Sequence, residues 1–178
     1  MNMSALNDKL EIQQLVCKYS RAIDRRDFNL LGKLYAVDSK DQHGGMFEGS
    51  GKEYVEWVSS ALENTGHTSH QIFNHLIELD PSNPNYAEGE VYTLNVHILI
   101  NSEGKEVNLS TGTRYLDKYI KTKKEWQFLH RKIVADYTLE SYVPSGELVE
   151  SLREGSSVGG FKEKDPSFGY FELISVIT

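Results

Sequence analysis

The spacing of apolar residues in this chain changes near residue 67, from the period of a helix to the period of a strand. Before that point apolar residues recur at every third or fourth position, as in helices that pack one side against a core. After it they alternate with polar residues over long stretches, as in strands. Helices followed by a run of strands predict an α+β fold, with a curved sheet wrapped on the helices.

The first part of the chain predicts three helices. The first is expected to end at Arg25 or Arg26, and its apolar stripe consists of Ile12, Leu15, Val16, Tyr19 and Ile23. Asp27 is suited to be the N-cap of a short second helix. Ser50 and Glu53 have the spacing of a capping box, which predicts the start of a third helix. The glycine-rich stretch 37–50 between them is predicted to be irregular.

The second part predicts four strands, at 70–80, 86–100, 106–120 and 126–138. Short turns separate these strands, so consecutive strands are expected to pair as an antiparallel meander. We assign residues 1–143 to one domain and residues 144–178 to a C-terminal tail. Because the tail ends in an apolar run, we expect it to pack as a lid or against a neighbouring subunit.

Charge and composition exclude several classes of function. The formal net charge is −7 and no extended basic patch is present, which argues against a nucleic-acid partner. No apolar run approaches the ~20 residues of a membrane span, and no signal-peptide pattern is present. A single cysteine excludes an internal disulfide and the usual zinc spacings. We therefore expect a cytoplasmic protein without a membrane partner, a metal or another cofactor.

Charged residues at core-facing positions are the first candidates for a site. Asp24 lies at the edge of the helical stripe, where it faces either solvent or a cavity that the helix covers. Arg131 lies on the apolar side of the last predicted strand, and Arg114 has a similar position in the strand before it. A buried charge needs a partner or a ligand, unless a β-bulge returns one of these arginines to solvent.

Strand spacing places His70 and Asn74 on one face, together with Ile72 and Leu76. His75 and His97 are interpreted as ordinary strand residues. On its own, the position of His70 is typical of a satisfied or surface histidine more often than of a catalytic one.

Three groups of residues resemble a known family. They are Tyr19, Asp24 and Asp27, then His70 and Asn74, and then Trp126, Phe128 and Arg131. Their pattern is similar to the SnoaL-like branch of the nuclear transport factor 2-like superfamily, which includes scytalone dehydratase and hexachlorocyclohexane dehydrochlorinase. The resemblance covers about residues 8–140.

The resemblance implies a cone-shaped sheet around a deep apolar pocket. It also implies that Asp24 and His70 form a dyad, in which the histidine removes a proton from carbon. Tyr19, Asn74, Arg114 and Arg131 would then be the substrate-binding candidates. Two departures argue against a substrate shared with either enzyme. Scytalone dehydratase has a second pocket histidine on its third strand, and the matching place in this chain is about Gly112. The dehydrochlorinase has a lysine on its first helix where this chain has Tyr19.

The function implied is a cofactor-independent lyase, a dehydratase or a related elimination enzyme. Its substrate would be a mid-sized, apolar, oxygen-bearing small molecule. The alternatives are an isomerase that uses the same dyad, a non-catalytic binding protein, and the small subunit of a ring-hydroxylating dioxygenase. We expect a homo-oligomer formed through the outer face of the sheet, a trimer first and a dimer second.

Overall fold

The computed structural model describes residues 3–123, 125–142, 154, 156–171 and 173–174. The helices and strands follow one another in this order: α1 (Met3–Arg25), α2 (Phe28–Leu34), β1 (Tyr35–His43), β2 (Phe47–Ser50), α3 (Gly51–Ala61), β3 (Thr68–Leu79), β4 (Tyr86–Ile100), β5 (Glu106–Thr122), β6 (Glu125–Tyr142) and α4 (Pro166–Tyr170). A 3₁₀ turn, Lys162–Lys164, precedes α4. None of the helices in these residues is long and apolar enough to cross a membrane.

The end of α1 and the starts of α2 and α3 lie where the sequence predicts them. The whole predicted stripe of α1 is buried, which confirms its core-facing side. Asp27 caps α2 by accepting the backbone N–H of Leu30 at 2.9 Å. Ser50 and Glu53 form the predicted capping box at the start of α3.

The strands form one six-stranded sheet in the order β2-β1-β6-β5-β4-β3. The pairs from β3 to β6 are antiparallel and follow the chain, as the meander predicts. β1 runs parallel to β6, so the sheet is mixed rather than wholly antiparallel. The sheet is curved and unclosed, and α1 packs on its inner face. The predicted α+β cone is confirmed.

Two strands arise where an irregular segment was predicted. Residues 37–50 contribute most of β1 and all of β2, which pair through a hairpin in which Gly44 has a φ of +57°. The buried residues of β1 include Ser39 and Asp41, so this strand lacks the apolar alternation by which strands are recognised. Its pairing with β6 supplies the partners that its own sequence does not indicate.

Three bulges change which residues face inward. In β3 the register shifts between Ile72 and His75, so the residues after the shift occupy opposite faces from those that strict alternation gives. In β6 one extra residue is inserted at Leu129 and another at Asp136. As a result Phe128 and Arg131 are both buried, although they are an odd number of positions apart.

The described part of the tail packs against the end of α1. Arg25 Nε lies 3.2 Å from Asp165 Oδ2, and Arg21 lies over the ring of Phe168 at 5.3 Å. The boundary between residues 143 and 144, and the helical piece expected near residues 148–152, lie outside the described residues. The division into a domain and a tail with a lid or subunit role therefore stays a prediction.

Candidate active site

Asp24 and His70 lie in contact where the end of α1 meets the start of β3. Asp24 Oδ1 is 2.7 Å from Nδ1 of His70, and Asp24 Oδ2 accepts the backbone N–H of His70 at 2.9 Å. Both side chains are largely buried, with 14% and 8% of their surface exposed. Because a carboxylate can only accept, neutral His70 carries its proton on Nδ1.

A second contact orients the carboxylate. The hydroxyl of Thr68 donates to Asp24 Oδ1 at 3.0 Å, and Arg26 in turn donates to the Thr68 oxygen at 2.9 Å. Arg26 is buried, and its charge is balanced in part by Asp24; burial lowers its pKa from the ordinary value. Asp24 therefore sits in a network of donors that fixes its orientation.

The other ring nitrogen of His70, Nε2, has no hydrogen-bond partner among the described residues. With the proton on Nδ1, this nitrogen carries the free lone pair and can accept a proton from a bound molecule. His97 lies edge-on to the His70 ring, with the centroids 5.4 Å apart. Burial, together with the repulsion of His70, lowers the pKa of His97 to about 4, so this second histidine is neutral at pH 7.

Tyr19 and Arg131 lie next to each other in the interior. The ring of Tyr19 is edge-on to His70 at 6.5 Å, while its hydroxyl is hydrogen-bonded to that of Tyr54 at 2.6 Å. Arg131 is fully buried and forms a two-point ion pair with Asp117, at 2.8 and 2.6 Å. Its guanidinium lies over the rings of Tyr19, Tyr115 and Phe128 at 4.1–4.2 Å.

The Arg131 guanidinium keeps one free nitrogen. Nη1 is buried without a hydrogen-bond partner among the described residues. The ion pair with Asp117 raises the pKa of Arg131 further above its usual value against the effect of burial, so the charge is permanent. A buried cation with an unused donor is suited to stabilise negative charge nearby.

Asn74 and Arg114 lie apart from this group, contrary to the expected placement. The β3 bulge follows Ile72, so Asn74 is exposed and does not share a buried face with His70. Arg114 lies between buried positions of β5 and forms ion pairs with Glu90 at 2.8 Å and Asp136 at 2.9 Å. A half-exposed arginine with two carboxylate partners is already satisfied without a ligand.

Residues near the dyad that sequence reasoning missed include Thr68, Arg26 and His97. His97 lies on the same face of β4 as the buried residues Val91, Thr93 and Asn95. Because these residues are mostly polar, the apolar alternation of the strand did not indicate that this face points inward. The second histidine that was sought near Gly112 has no room there, since a Cβ would lie 2.2 Å from the Tyr137 ring.

The interior holds a second Asp–His pair. Asp41 is fully buried, accepts the Tyr35 hydroxyl at 2.5 Å and contacts Nδ1 of His43. The His43 ring stacks on Tyr54 at 4.6 Å. The pair lies in the segment predicted to be irregular, so no strand pattern pointed to it. Within the described residues, no group of three or more His, Cys, Asp or Glu side chains is placed to hold a metal ion.

The N-terminal helices and the curved, unclosed six-stranded sheet define a small α+β protein of the nuclear transport factor 2-like fold. A family model described as the SnoaL-like domain matches residues 4–132. The chain therefore belongs to the SnoaL-like family. An uncharacterized protein of Mycobacterium tuberculosis (strain ATCC 25618 / H37Rv) is 26% identical over 133 residues, which are 74% of this chain and 87% of that protein.

Solved structures of the same fold include two whose names are those of elimination enzymes. A hexachlorocyclohexane dehydrochlorinase of type 2 is 17% identical, with a TM-score of 0.72 over 83% of this chain and 100% of that chain. A scytalone dehydratase-like protein of Novosphingobium aromaticivorans is 20% identical, with a TM-score of 0.69 over 82% of this chain and 95% of that chain. At these identities the likeness establishes the fold.

Proposed function

We propose that this protein is a cytoplasmic, cofactor-independent lyase, a dehydratase or a related elimination enzyme. The observation that carries the proposal is the orientation of His70. Its Nδ1 is held 2.7 Å from the Asp24 carboxylate, and its Nε2 has no partner among the described residues. This is the arrangement that a carbon-directed general base needs.

In the proposed reaction, Nε2 of His70 takes a proton from a carbon next to a carbonyl or another activating group. The C–H electron pair forms the new double bond as the bond to the leaving group on the neighbouring carbon breaks. Asp24 stabilises the imidazolium that forms, as a carboxylate does in other histidine-base sites. The histidine then returns its proton to a departing hydroxide, or to solvent when the leaving group is a halide.

Tyr19 and Arg131 are proposed as the groups that favour negative charge on the substrate. The Arg131 guanidinium lies 4.1 Å over the Tyr19 ring, which in turn is edge-on to His70. A permanent buried cation at this position lowers the energy of a developing enolate-like oxygen. Asn74 and Arg114 are left out of the proposed site because of their placement.

The proposed substrate is a mid-sized, largely apolar molecule with one or two oxygens. Aromatic rings dominate the interior near the dyad, and Asn95 and Thr113 supply a few buried polar groups. Members of this family bind small-molecule ligands. The names of the two structural neighbours, a dehydrochlorinase and a dehydratase-like protein, describe eliminations and so favour a lyase over other uses of the fold.

The first experiment is a screen of hydroxy-ketones and halogenated compounds for loss of water or halide, followed by mass spectrometry. With a substrate in hand, His70→Ala is expected to lower kcat by about 10²–10⁴. His75→Gln is the matched control, since His75 lies on the same strand and bonds to Tyr119 instead. Full activity of His70→Ala contradicts the proposal.

The same screen separates the alternatives. A product of unchanged mass that carries solvent deuterium at carbon identifies an isomerase that uses the same base. The binding-only alternative is favoured by one observation: the Tyr19 hydroxyl is already paired with Tyr54, and Arg131 is already paired with Asp117. If ligands bind to the wild-type protein with no turnover and no deuterium exchange, that alternative replaces the enzyme proposal.

We also propose that the chain associates with itself through the outer face of the sheet, as a trimer or else a dimer. Exposed apolar side chains on strands β3 to β5 include Phe73, Leu76, Tyr92 and Leu116. Large exposed apolar patches favour association, and family members are often oligomeric. Light scattering after size exclusion measures the mass, and Leu76→Glu is expected to shift it towards the monomer. A monomeric wild-type protein contradicts this proposal.

A further inference from the structure

The C-terminal segment 159–168 covers the arginines at the end of α1. Arg25 Nε lies 3.2 Å from Asp165 Oδ2, and the Arg26 guanidinium lies 4.5 Å from the centroid of Phe161. Arg21 contacts Phe168 at 5.3 Å in the same way. Contacts of this type combine a cation with a ring face or a carboxylate, and both strengthen as water is excluded.

Asp165 gives this segment its shape. Its carboxylate accepts the backbone N–H of Gly160 at 2.9 Å and that of Ser167 at 3.0 Å. Only 4% of its surface is exposed, and although burial raises its pKa, these hydrogen bonds hold the value below the ordinary range. Asp165 therefore binds the chain before and after Phe161, and its contact with Arg25 holds this segment at the end of α1.

Arg26 links the segment to the dyad. Its guanidinium donates to the Ile23 and Gly66 carbonyl oxygens and to the Thr65 and Thr68 hydroxyl oxygens, at 2.8–3.0 Å. Its backbone has a φ of +58°, a conformation that a side chain other than glycine adopts at a cost. The four hydrogen bonds and the Phe161 ring favour this position of Arg26 over an extended side chain in water.

The Thr68 hydroxyl lies between an acceptor and a donor. A carboxylate can only accept, so Thr68 gives its one proton to Asp24 Oδ1, 3.0 Å away. Arg26 can only donate, so it occupies a lone pair of the Thr68 oxygen and holds the hydroxyl in the orientation that points its proton at Asp24. That same carboxylate oxygen is the partner of His70 Nδ1.

We propose that Phe161 is a positioning residue for the Asp24–His70 pair. By covering Arg26, it keeps the Thr68 hydroxyl in the orientation that donates to Asp24. That hydrogen bond holds the carboxylate in place to accept the Nδ1 proton of neutral His70, which leaves the lone pair on Nε2. The consequence for catalysis rests on the proposed function, while the effect on His70 can be measured without a substrate.

The experiment measures the tautomer of neutral His70 by ¹⁵N chemical shifts in the full-length chain labelled at histidine nitrogens. Phe161→Leu keeps the segment apolar but removes the ring face, and the ratio of the Nδ1–H to the Nε2–H form is expected to fall about threefold. Phe161→Tyr restores a ring and is expected to restore the ratio. Phe168→Leu, which removes the contact to Arg21, is the matched control and is expected to leave the ratio unchanged.

Two further variants locate the effect. Thr68→Val removes the hydroxyl with little change in shape, and a fall of about fivefold is expected. Asp165→Asn loosens the segment without touching Phe161, so a fall in the same direction is expected. An unchanged ratio in Phe161→Leu and Asp165→Asn, with a fall in Thr68→Val, overturns the role of the segment and leaves the dyad in place. A wild-type His70 with its proton on Nε2 contradicts the dyad as a base, and this proposal with it.

Discussion

Both carboxylate oxygens of Asp24 bind the same residue, His70, one through the ring and one through the backbone. Oδ1 lies 2.7 Å from Nδ1, and Oδ2 accepts the backbone N–H at 2.9 Å. The helix end and the strand are thereby joined at the point where the base would act. Rotation of the carboxylate would break two hydrogen bonds at once, so the orientation of the ring is coupled to the packing of α1 on β3.

The carboxylate of Asp24 is expected to matter for turnover more than for binding. In Asp24→Asn the side-chain amide can donate towards Nδ1, which favours the wrong tautomer of His70, and kcat is expected to fall by about 10²–10⁴. KM is expected to change little because the substrate contacts Nε2. Asp27→Asn is the control, since asparagine is an equally good N-cap for α2. An unchanged kcat in Asp24→Asn contradicts the proposed orientation.

Replacing Arg114 tests whether this arginine, unlike Arg131, lies outside the proposed site. Its ion pairs with Glu90 and Asp136 are partly exposed, so Arg114→Met is expected to leave the midpoint of urea denaturation nearly unchanged. Activity and ligand binding are expected to be unchanged. A large loss of activity in a folded Arg114→Met protein shows that this residue belongs to the site after all.

The buried ion pair of Arg131 and Asp117 is expected to be costly to break on one side. Asp117→Asn leaves the fully buried guanidinium without its counter-charge, and a loss of about 3–5 kcal/mol in unfolding free energy is expected. Replacing both residues, by Arg131→Met and Asp117→Leu, is expected to cost less than the single change because no charge remains buried. Urea denaturation of the wild-type protein, the single variant and the double variant measures the difference.

Helix positions could be predicted because their signals are local. The stripe of α1 and the caps at Asp27 and Ser50 each depend on residues within a few positions of one another. The pairing of Asp24 with His70 came from a family resemblance, because the two residues are 46 positions apart and carry no local sign of contact. Local chemistry predicts elements, while contacts between elements depend on how they pack.

Strand faces could not be predicted as well, since a bulge depends on the neighbouring strand. The shift after Ile72 placed Asn74 in solvent, and the extra residue at Leu129 brought Arg131 to the same face as Phe128. In β4 the buried face carries Thr93 and Asn95, whose side chains find partners on β5. Partners of this kind make polar residues stable inside, and they are invisible in the alternation of one strand.

Two half-buried histidines, His75 and His97, are expected to make the fold less stable in acid. Burial lowers the pKa of His75 to about 4 and that of His97 to about 4, against 6.5 for a free histidine. Between these values the unfolded chain binds protons that the folded chain does not. The free energy of unfolding therefore falls as the pH falls from about 6.5 to about 4, by up to about 1.4 kcal/mol per pH unit for each histidine.

His75→Gln isolates one of these contributions. The amide of glutamine can keep a contact to the Tyr119 hydroxyl, which lies 3.1 Å from Nε2 of His75, but it does not titrate. Urea denaturation at pH 5 and pH 7 is expected to give a smaller difference for this variant than for the wild-type protein. Between pH 7 and pH 8 His75 is largely neutral in both the folded and the unfolded chain. The free energies of unfolding of the two proteins are therefore expected to change alike over this range. Equal differences between pH 5 and pH 7 would mean that His75 is protonated in the folded chain, with the Asp117 carboxylate outweighing the effect of burial.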